Sequence, residues 1–489
     1  MKTAPAVIVA FLLPLIAFAE GAAVPRKSQA AATKQKPSKP TAPGKGKTQR
    51  GPKPKALDPK VFDVVEHTLA NGLKVRLIES HTVPTVSFYT FFKVGSRNER
   101  PGITGIAHLF EHMMFNGAQK YGPKEFDRVL ETAGGSSNAY TSNDLTVYHE
   151  DFASDALETV VDLESDRMRS LAITPETLKS EREVVKEERR FRVDNDVVGM
   201  LDEALSAQIW KAHPYHWPVI GWMGDLNAIT REDALEFFRT YYAPNNATIV
   251  AVGDLDAKTT IELIEKYYGD IPAGPPIPQV VDSEPEPNGE RRVDVHYPSQ
   301  SPSLMIGYRV SAAKSDDTFV LDLIQMTLAV GESSRLVKRI VYEEELATHV
   351  MLDFGWRIDP SSFVIYADLP PGGDPRKVEA VVYEELQRIA DEGITELELQ
   401  RGKNILRSSF LQEIATHGGR AHALGNSELL LGDWREALRT LDRYDEVKVA
   451  DVKRVATRYF TQLNRSVATV VPPLGSGEAR REKPRAQKK

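Results

Sequence analysis

The chain has no cysteine among its 489 residues. It therefore forms no disulfide, offers no thiolate to a metal and has no thiol nucleophile, so histidines and carboxylates must do any metal chemistry. Long apolar runs are also scarce. The apolar stretch 6–18 is too short to span a bilayer and is interrupted by Pro14, and no other stretch is apolar enough to span one. These absences predict no stable insertion into a membrane.

The first 19 residues predict a signal peptide. Lys2 supplies a positive start, the apolar stretch follows, and 17–19 is an Ala-Phe-Ala cleavage pattern. No cysteine follows, which excludes a lipoprotein anchor. We expect an exported protein in the periplasm of a Gram-negative bacterium, and the alternative is a segment that stays uncleaved as a tether.

Positive charge is concentrated at the two ends of the chain. Residues 24–60 hold eleven Lys and Arg against Asp58 alone, in a Pro-, Ala- and Lys-rich composition that predicts a disordered basic tether over 20–60. The tail 476–489 is predicted to be similar. Subtracting the +10 and +4 of these ends from the net −7 leaves about −21 for the body, which argues against a nucleic-acid partner.

The composition, 41% apolar and 27% charged, is that of a globular protein, and the length indicates two domains. A Pro- and Gly-rich linker over 272–290 separates a predicted N-terminal domain, 61–271, from a C-terminal domain, 291–475. The second domain echoes the first, because the aromatic pair, the asparagine and the apolar strand of 241–252 recur in 459–471.

The sequence His108-Leu109-Phe110-Glu111-His112 carries the chemistry. It has the His-x-x-Glu-His order of the inverzincins. Residues i and i+4 of a helix share a face, so both imidazoles can reach one metal ion, and Glu111 lies beside that ion. The apolar neighbours predict a buried helix, in which ionisable groups need partners. The motif predicts a zinc site, and the alternative is an amphipathic helix with two half-buried histidines.

Such a zinc site needs a third protein ligand. The charged run 177–190 predicts a helix on which Glu181 and Glu188 share a face two turns apart, while Glu183 and Glu187 face elsewhere. A run so rich in glutamate is usually a solvated helix, and its periodicity alone selects no single residue.

Several segments together resemble the pitrilysin/insulinase family of zinc metallopeptidases, in particular the zinc-bearing subunits of its short bacterial and mitochondrial-processing-peptidase branch. The resemblance implies an α+β fold of two homologous domains that face each other around a chamber, each a mostly antiparallel sheet with flanking helices. The segments that carry it are Val94–Glu99, Gly105–Gly117, Gly134–Thr141, Glu181–Glu188, His213–Gly221 and Tyr241–Ala247.

The resemblance also implies roles for individual residues. One Zn²⁺ per chain would be held by His108, His112 and Glu188, and Glu181 would be a supporting carboxylate that orients the ligands. Zinc lowers the pKa of its bound water toward about 7. Glu111 would take the proton from that water and pass it to the leaving amine.

A substrate-binding strand is the next implication. Asn138 and Ala139 open the segment 138–148, which predicts a strand. In the family this region is an edge strand that binds the substrate backbone by β-augmentation. Without the resemblance, an ordinary strand after a Gly-Gly turn is the preferred interpretation.

The sequence departs from the family in its second half. Active members carry an Arg and a Tyr, seven residues apart, that bind substrate and stabilise the oxyanion. In the register set by 333–336 these positions are Val341 and Thr348. Arg335 and Tyr342 have the same spacing but come six residues too early, and we interpret that pair as coincidence.

Together these features predict a zinc-dependent endopeptidase acting on peptides or unfolded segments. Because the Arg/Tyr pair is missing, we predict the catalytic subunit of a heterodimer whose related partner supplies it. The alternative is a non-catalytic peptide-binding or assembly subunit of the same fold.

Overall fold

The computed structural model describes residues 59–123, 125–281 and 284–471. Two β-sheets with flanking helices make up this part of the chain, and they confirm the predicted α+β fold. The predicted signal peptide, all but the last two residues of the tether, and the tail 476–489 lie outside the described residues. Within the described residues, no helix combines the length and the apolar character needed to cross a membrane.

The first sheet has six strands and is mostly antiparallel. Its strands are β1 (Val65–Thr68), β2 (Lys74–Glu79), β3 (Thr85–Phe92), β4 (Ser136–Thr141), β5 (Thr146–Ala153) and β6 (Ala247–Gly253). They are ordered β1-β2-β6-β3-β5-β4, and β2 with β6 is the one parallel pair of this sheet. The predicted turn at Asn71-Gly72 joins β1 to β2, with Gly72 at φ +90°.

The segment 138–148 is not the one strand that the sequence predicted. It spans the end of β4, a turn over 142–145 and the start of β5, and the two strands pair antiparallel. Ser142 closes the turn, because its backbone N–H donates to Leu145 O at 2.7 Å. Strand β4 is the edge strand, as the family resemblance implied, and β5 lies inside the sheet.

The first half of the chain contributes eight helices among the described residues. They are α1 (Ile106–Met113), α2 (Glu125–Thr132), α3 (Leu157–Ser170), α4 (Pro175–Arg189), α5 (Val197–Ile209), α6 (Met223–Ala228), α7 (Arg231–Tyr241) and α8 (Ala257–Tyr268). Helix α1 is buried on nearly every side, since five of its eight residues belong to the first hydrophobic core.

The second sheet has five strands and the same general plan. Its strands are β7 (Arg291–His296), β8 (Ser303–Arg309), β9 (His349–Phe354), β10 (Ser362–Asp368) and β11 (Arg465–Val471). They are ordered β7-β11-β8-β10-β9, with β7 and β11 parallel. The helices of this half of the chain are α9 (Asp317–Ala329), α10 (Pro375–Glu392), α11 (Glu396–Glu413), α12 (His417–Asn426), α13 (Glu436–Glu446) and α14 (Val449–Tyr459).

One hydrogen bond recurs in both halves and confirms the internal repeat. The side-chain amide of Asn246 donates to Tyr241 O at 2.8 Å, just before β6. The amide of Asn464 donates to Tyr459 O at 2.7 Å, just before β11. A turn with the same hydrogen bond therefore precedes the corresponding strand of each sheet.

The two halves exchange helices. Helix α5, from the first half of the chain, packs on β7, β8 and β11, where Leu201 and Leu205 join the apolar cluster around Met305 and Ala468. Helix α12, from the second half, packs on β3 and β6. Its Gly425 lies against the ring of Phe91, and an added Cβ would come within 2.1 Å of that ring. Each sheet is therefore covered in part by the other half.

Candidate metal centre

Helices α1 and α4 bring the three predicted ligands together. His108 and His112 lie one turn apart on α1, and Glu188 lies near the end of α4. Glu188 Oε2 is 3.2 Å from His112 Nε2 and 3.8 Å from His108 Nε2. One possible ligand atom from each of the three residues lies within 4.8 Å of the other two. The i, i+4 spacing thus places both histidines on one face of α1, as helix geometry predicts, and that face is turned toward Glu188.

The position of α1 is fixed by a close backbone contact at its start. Gly105 has φ +87° and meets the backbone of the 220–221 segment, where an added Cβ would lie 2.4 Å from Ile220 O. Gly221, at φ +77°, makes the reciprocal approach to Thr104 O. Glycine is the residue that tolerates this φ and leaves room for the contact.

Polar side chains hold both ends of α1. The buried carboxylate of Glu99 accepts hydrogen bonds from the backbone N–H groups of Gly105 and Ala107, both at 2.9 Å. This is a favourable place for a carboxylate, because the first N–H groups of a helix have no partner within it. Near the other end, Tyr148 Oη donates to Phe110 O at 3.1 Å. The helix that carries both histidines is therefore rigidly held.

Helix α4 is fixed at both ends as well. Thr174 caps it, with Pro175 as its first residue, in the position where a proline is tolerated. At the other end Arg189 Nη1 donates to Gly221 O at 2.7 Å, and Arg189 pairs with Glu203 at 2.8 Å. Because Gly221 also contacts the start of α1, one loop ties the helix bearing Glu188 to the helix bearing the histidines.

The atoms at the centre fit a metal cation. Glu188 Oε2 is buried and has no hydrogen-bond partner among the described residues, although two imidazole nitrogens face it. Donor atoms bound to one tetrahedral zinc lie about 3.3 Å apart. The 3.2 Å between Glu188 and His112 agrees with this distance, and the 3.8 Å between Glu188 and His108 is slightly longer. A buried polar atom without a partner is costly, and a shared cation would satisfy all three side chains at once.

The electrostatics of the three groups are strongly coupled. Burial lowers the pKa of His108, which favours the neutral ring that a metal needs. Burial works in the same direction on His112, but the contact with Glu188 and the nearby carboxylates outweigh it and raise its pKa. Burial would raise the pKa of Glu188, whereas His112, His108 and Arg192 together lower it to about 2. Glu188 is thus an anion facing two rings.

The other predicted catalytic residues lie beside this centre. Glu111 is half-buried on α1, within electrostatic reach of both His108 and His112. Glu181 Oε2 lies 3.8 Å from His112 Nδ1, the ring nitrogen on the side away from Glu188. The carboxylate of Glu181 is thus a close neighbour of His112, beyond hydrogen-bond distance.

The predicted substrate-binding residues are not part of the ligand cluster. Asn138 and Ala139 lie on the edge strand β4, which packs against α1. Asn138 is exposed, and its Oδ1 accepts a hydrogen bond from the N–H of Ala139 at 2.9 Å. Ala139 packs partly against the first core.

The positions expected for the missing Arg/Tyr pair are occupied by Val341 and Thr348, which make other contacts. Val341 packs against the second core, and Thr348 donates its backbone N–H to Asp368 O at 2.8 Å. Arg335 makes a two-pronged ion pair with Glu398, at 2.7 and 2.9 Å. Tyr342 is 55% exposed. Arg335 is therefore occupied inside the second half, which favours the interpretation of Arg335 and Tyr342 as coincidence.

Sequence reasoning missed a polar network that joins the two halves. Arg97 Nε lies 3.1 Å from Asp359 and 3.3 Å from Asp144. His213 Nε2 also contacts Asp359, at 3.1 Å, and Tyr215 Oη donates to Asp144 at 2.7 Å. Arg97, His213 and Tyr215 stood in recognised motifs, but Asp359 lies 262 residues from Arg97 in the sequence, and no local signal connects them.

Comparisons with known proteins agree with this fold. Residues 74–221 match the family model of insulinase (peptidase family M16), and residues 228–406 match that of the peptidase M16 inactive domain. The zinc protease PqqE of Helicobacter pylori is 32% identical over 413 residues, which are 83% of this chain and 92% of that protein. The chain belongs to the insulinase family, peptidase family M16.

Two further relatives show how far the similarity extends. The crystal structure of a protease from Helicobacter pylori has a TM-score of 0.81 and 30% identity, and the match covers 84% of this chain and all of that one. A probable mitochondrial-processing peptidase subunit beta of Arabidopsis thaliana is 24% identical over 425 residues, 83% of this chain and 78% of that protein. The similarity thus runs through both halves.

Proposed function

We propose that this chain is a zinc-dependent endopeptidase that hydrolyses peptides or unfolded segments, with one Zn²⁺ per chain. The observation that carries the proposal is the convergence of His108, His112 and Glu188 around a carboxylate oxygen that is buried without a hydrogen-bond partner among the described residues. A relative in the same family that is named a zinc protease supports the choice of metal.

Each nearby residue has a defined task. Bound zinc would supply an acidified water and a polarised scissile carbonyl. Glu111 takes a proton from the attacking water and returns it to the leaving amine. Glu181, whose Oε2 is 3.8 Å from His112 Nδ1, would orient the ring of His112 by its charge. The free edge of β4, at Asn138 and Ala139, offers its backbone groups to an extended substrate next to α1.

We further propose that a related chain completes the site. Val341 and Thr348 occupy the places of an Arg and a Tyr that stabilise the oxyanion, and neither side chain can carry a positive charge or a phenol. Loss of oxyanion donors typically removes a few kcal/mol of transition-state stabilisation. The catalytic form is therefore a heterodimer with a partner that lacks His-x-x-Glu-His and carries both groups.

Location and domain division belong to the same proposal. The signal-peptide pattern of residues 1–19 supports export to the periplasm. Residues 272–281 and 284–290 contain no helix or strand, which supports the division into a zinc-binding domain, 61–271, and a second domain, 291–475.

The test is peptide cleavage and zinc content measured on the same sample of mature chain, alone and with a co-purifying related chain. We expect about one zinc per chain in both samples and turnover of quenched fluorescent peptides in the mixture. Glu111→Gln should keep the zinc and lose at least about 100-fold of the turnover. Full activity of the chain alone would contradict the shared site.

One observation favours a second candidate function. The matched model over residues 228–406 is described as an inactive domain, and a chain of this fold can act as a non-catalytic peptide-binding or assembly subunit. Zinc-free protein that remains inactive in the mixture, yet binds peptide or partner, would select this alternative.

A further inference from the structure

The two carboxylate oxygens of Glu188 have different surroundings. Oε1 lies 2.9 Å from Nε of Arg192. Oε2 faces the Nε2 atoms of His112 and His108 and has no hydrogen-bond partner among the described residues. One oxygen is therefore held by a cation of the protein, and the other is left for the centre between the rings.

Arg192 is itself in a fixed place. It lies in the π-helical turn Arg190–Asp194, which continues α4 one turn beyond Glu188. Asn195 closes this turn, because its N–H donates to Arg190 O at 2.9 Å. On the other side of the turn, Gly199 of α5 lies so close to the backbone of Arg192 that a Cβ added to Gly199 would be 2.1 Å from Arg192 O. The Arg192 side chain is 20% exposed, so its contact with Glu188 is sheltered from water.

We propose that Arg192 is a positioning residue of the metal centre, an inference that rests on the proposed function. By engaging Oε1, it stops the carboxylate of Glu188 from rotating and presents Oε2 alone to the metal. A guanidinium suits this task, because it is always charged and its planar group loses little conformational freedom when it pairs with a carboxylate.

Two effects of Arg192 oppose each other. Its positive charge repels a metal dication, which would weaken binding. Its ion pair with Oε1 orders the ligand before the metal arrives, which strengthens binding. Groups that orient metal ligands typically change metal affinity by about 10- to 100-fold, and here the ordering effect should win because the ion pair already neutralises much of the charge.

The experiment compares zinc affinity, by competition with a chelator, in full-length wild type, Arg192→Ala and Arg192→Lys. Arg190→Ala is the matched control, since Arg190 is on the same turn but pairs with the exposed Glu187. We expect Arg192→Ala to weaken zinc binding by about 10- to 100-fold. Arg192→Lys should recover part of the loss, and Arg190→Ala should stay within about twofold of wild type.

Two further readouts separate positioning from simple stability. The visible spectrum of the cobalt-substituted protein should change in Arg192→Ala and not in Arg190→Ala, because it reports the geometry of the ligands. The metal-free proteins should melt at the same temperature. Unchanged or tighter zinc binding by Arg192→Ala would overturn the inference, and so would a weakened affinity that merely follows a lower melting temperature of the metal-free variant.

The inference and the proposed function fail in different ways. A wild-type chain that binds no zinc overturns both. A wild-type chain that binds zinc, with Arg192→Ala equal to it, leaves the proposed function intact and removes the role of Arg192 alone.

Discussion

Each half of the chain places a buried, mostly apolar helix that carries a few polar groups against the end of a similar sheet, but the two halves treat those polar groups differently. In the first half α1 lies against the edge strand β4, and in the second half α9 lies against the edge strand β9. On α9, Asp322 accepts hydrogen bonds from Tyr444 at 2.6 Å and Trp356 at 3.1 Å. The buried acid of α9 is thus satisfied within the fold.

The polar groups around α1 are not all paired within the described residues. The two imidazoles share Glu188 Oε2, which has no hydrogen-bond partner among the described residues. The difference teaches that one architecture can satisfy a polar group on a buried helix within the fold in one half, and leave a carboxylate oxygen beside such a helix for a proposed metal in the other. Buried polar groups normally find partners, so a ligand is expected beside α1, where two imidazoles and a carboxylate oxygen without a hydrogen-bond partner among the described residues come together.

The strongest way to break this comparison is to remove one polar group from each half. His112→Ala should abolish zinc binding, because two ligands cannot hold the ion that three are placed to share. Asp322→Asn should keep about one zinc per chain. Metal analysis of both purified variants checks this, and zinc retained by His112→Ala would place the ion elsewhere.

A backbone change at the start of α1 should have the next largest effect. Gly105→Ala puts a side chain at φ +87° and 2.4 Å from Ile220 O, so we expect a loss of about 5 kcal/mol in the free energy of unfolding. Gly102→Ala is the control, with φ +95° but nothing within 4 Å of the added Cβ. It should cost about 1–2 kcal/mol. Urea unfolding measures both, and equal losses would mean that the contact with Ile220 is unimportant.

The satisfied acid of the second half should show itself in the pH dependence of stability. Burial raises the pKa of Asp322 to about 7, despite the hydrogen bonds from Tyr444 and Trp356 that lower it. The folded state therefore holds this proton up to about pH 7, whereas the unfolded chain releases it near pH 4.

Because the folded state binds more protons in this window, the free energy of unfolding should fall as the pH rises from about 4 to 7. The contribution of Asp322 is at most about 4 kcal/mol. Asp322→Asn cannot titrate, so the difference between wild type and variant, measured by urea unfolding at several pH values, should shrink or reverse with pH. A difference that stays constant would contradict the raised pKa.

Local features of fold and site could be predicted from the sequence. The spacing of His108 and His112 depends on helix geometry alone, and the Asn71-Gly72 turn on its own residue types. The charged helix did not select Glu188 by its periodicity, and the family resemblance was needed to name it. The i+4 spacing from Glu188 to Arg192 was a local signal that could have been found.

Features that depend on distant parts of the chain could not be predicted. The apolar face of α5 indicates that the helix is buried, but not that it packs on the second sheet. The contact of Arg97 with Asp359 has no local sequence signature. The turn over 142–145 was missed because the apolar Leu145 favoured an uninterrupted strand, although Ser142, Asn143 and Asp144 are typical turn residues.

The smallest effect should come from the false Arg/Tyr pair of the second half. If Arg335 and Tyr342 served the metal site, Tyr342→Phe would remove the phenolic hydroxyl and lower peptide turnover by the proposed heterodimer. Tyr342 is 55% exposed, and Arg335 is bound to Glu398, whose pKa this ion pair lowers to about 2. We therefore expect turnover and stability of Tyr342→Phe within about twofold and 0.5 kcal/mol of wild type. A tenfold loss of turnover with unchanged zinc content would instead give the second half a catalytic role, and the contrast between the two halves would no longer hold.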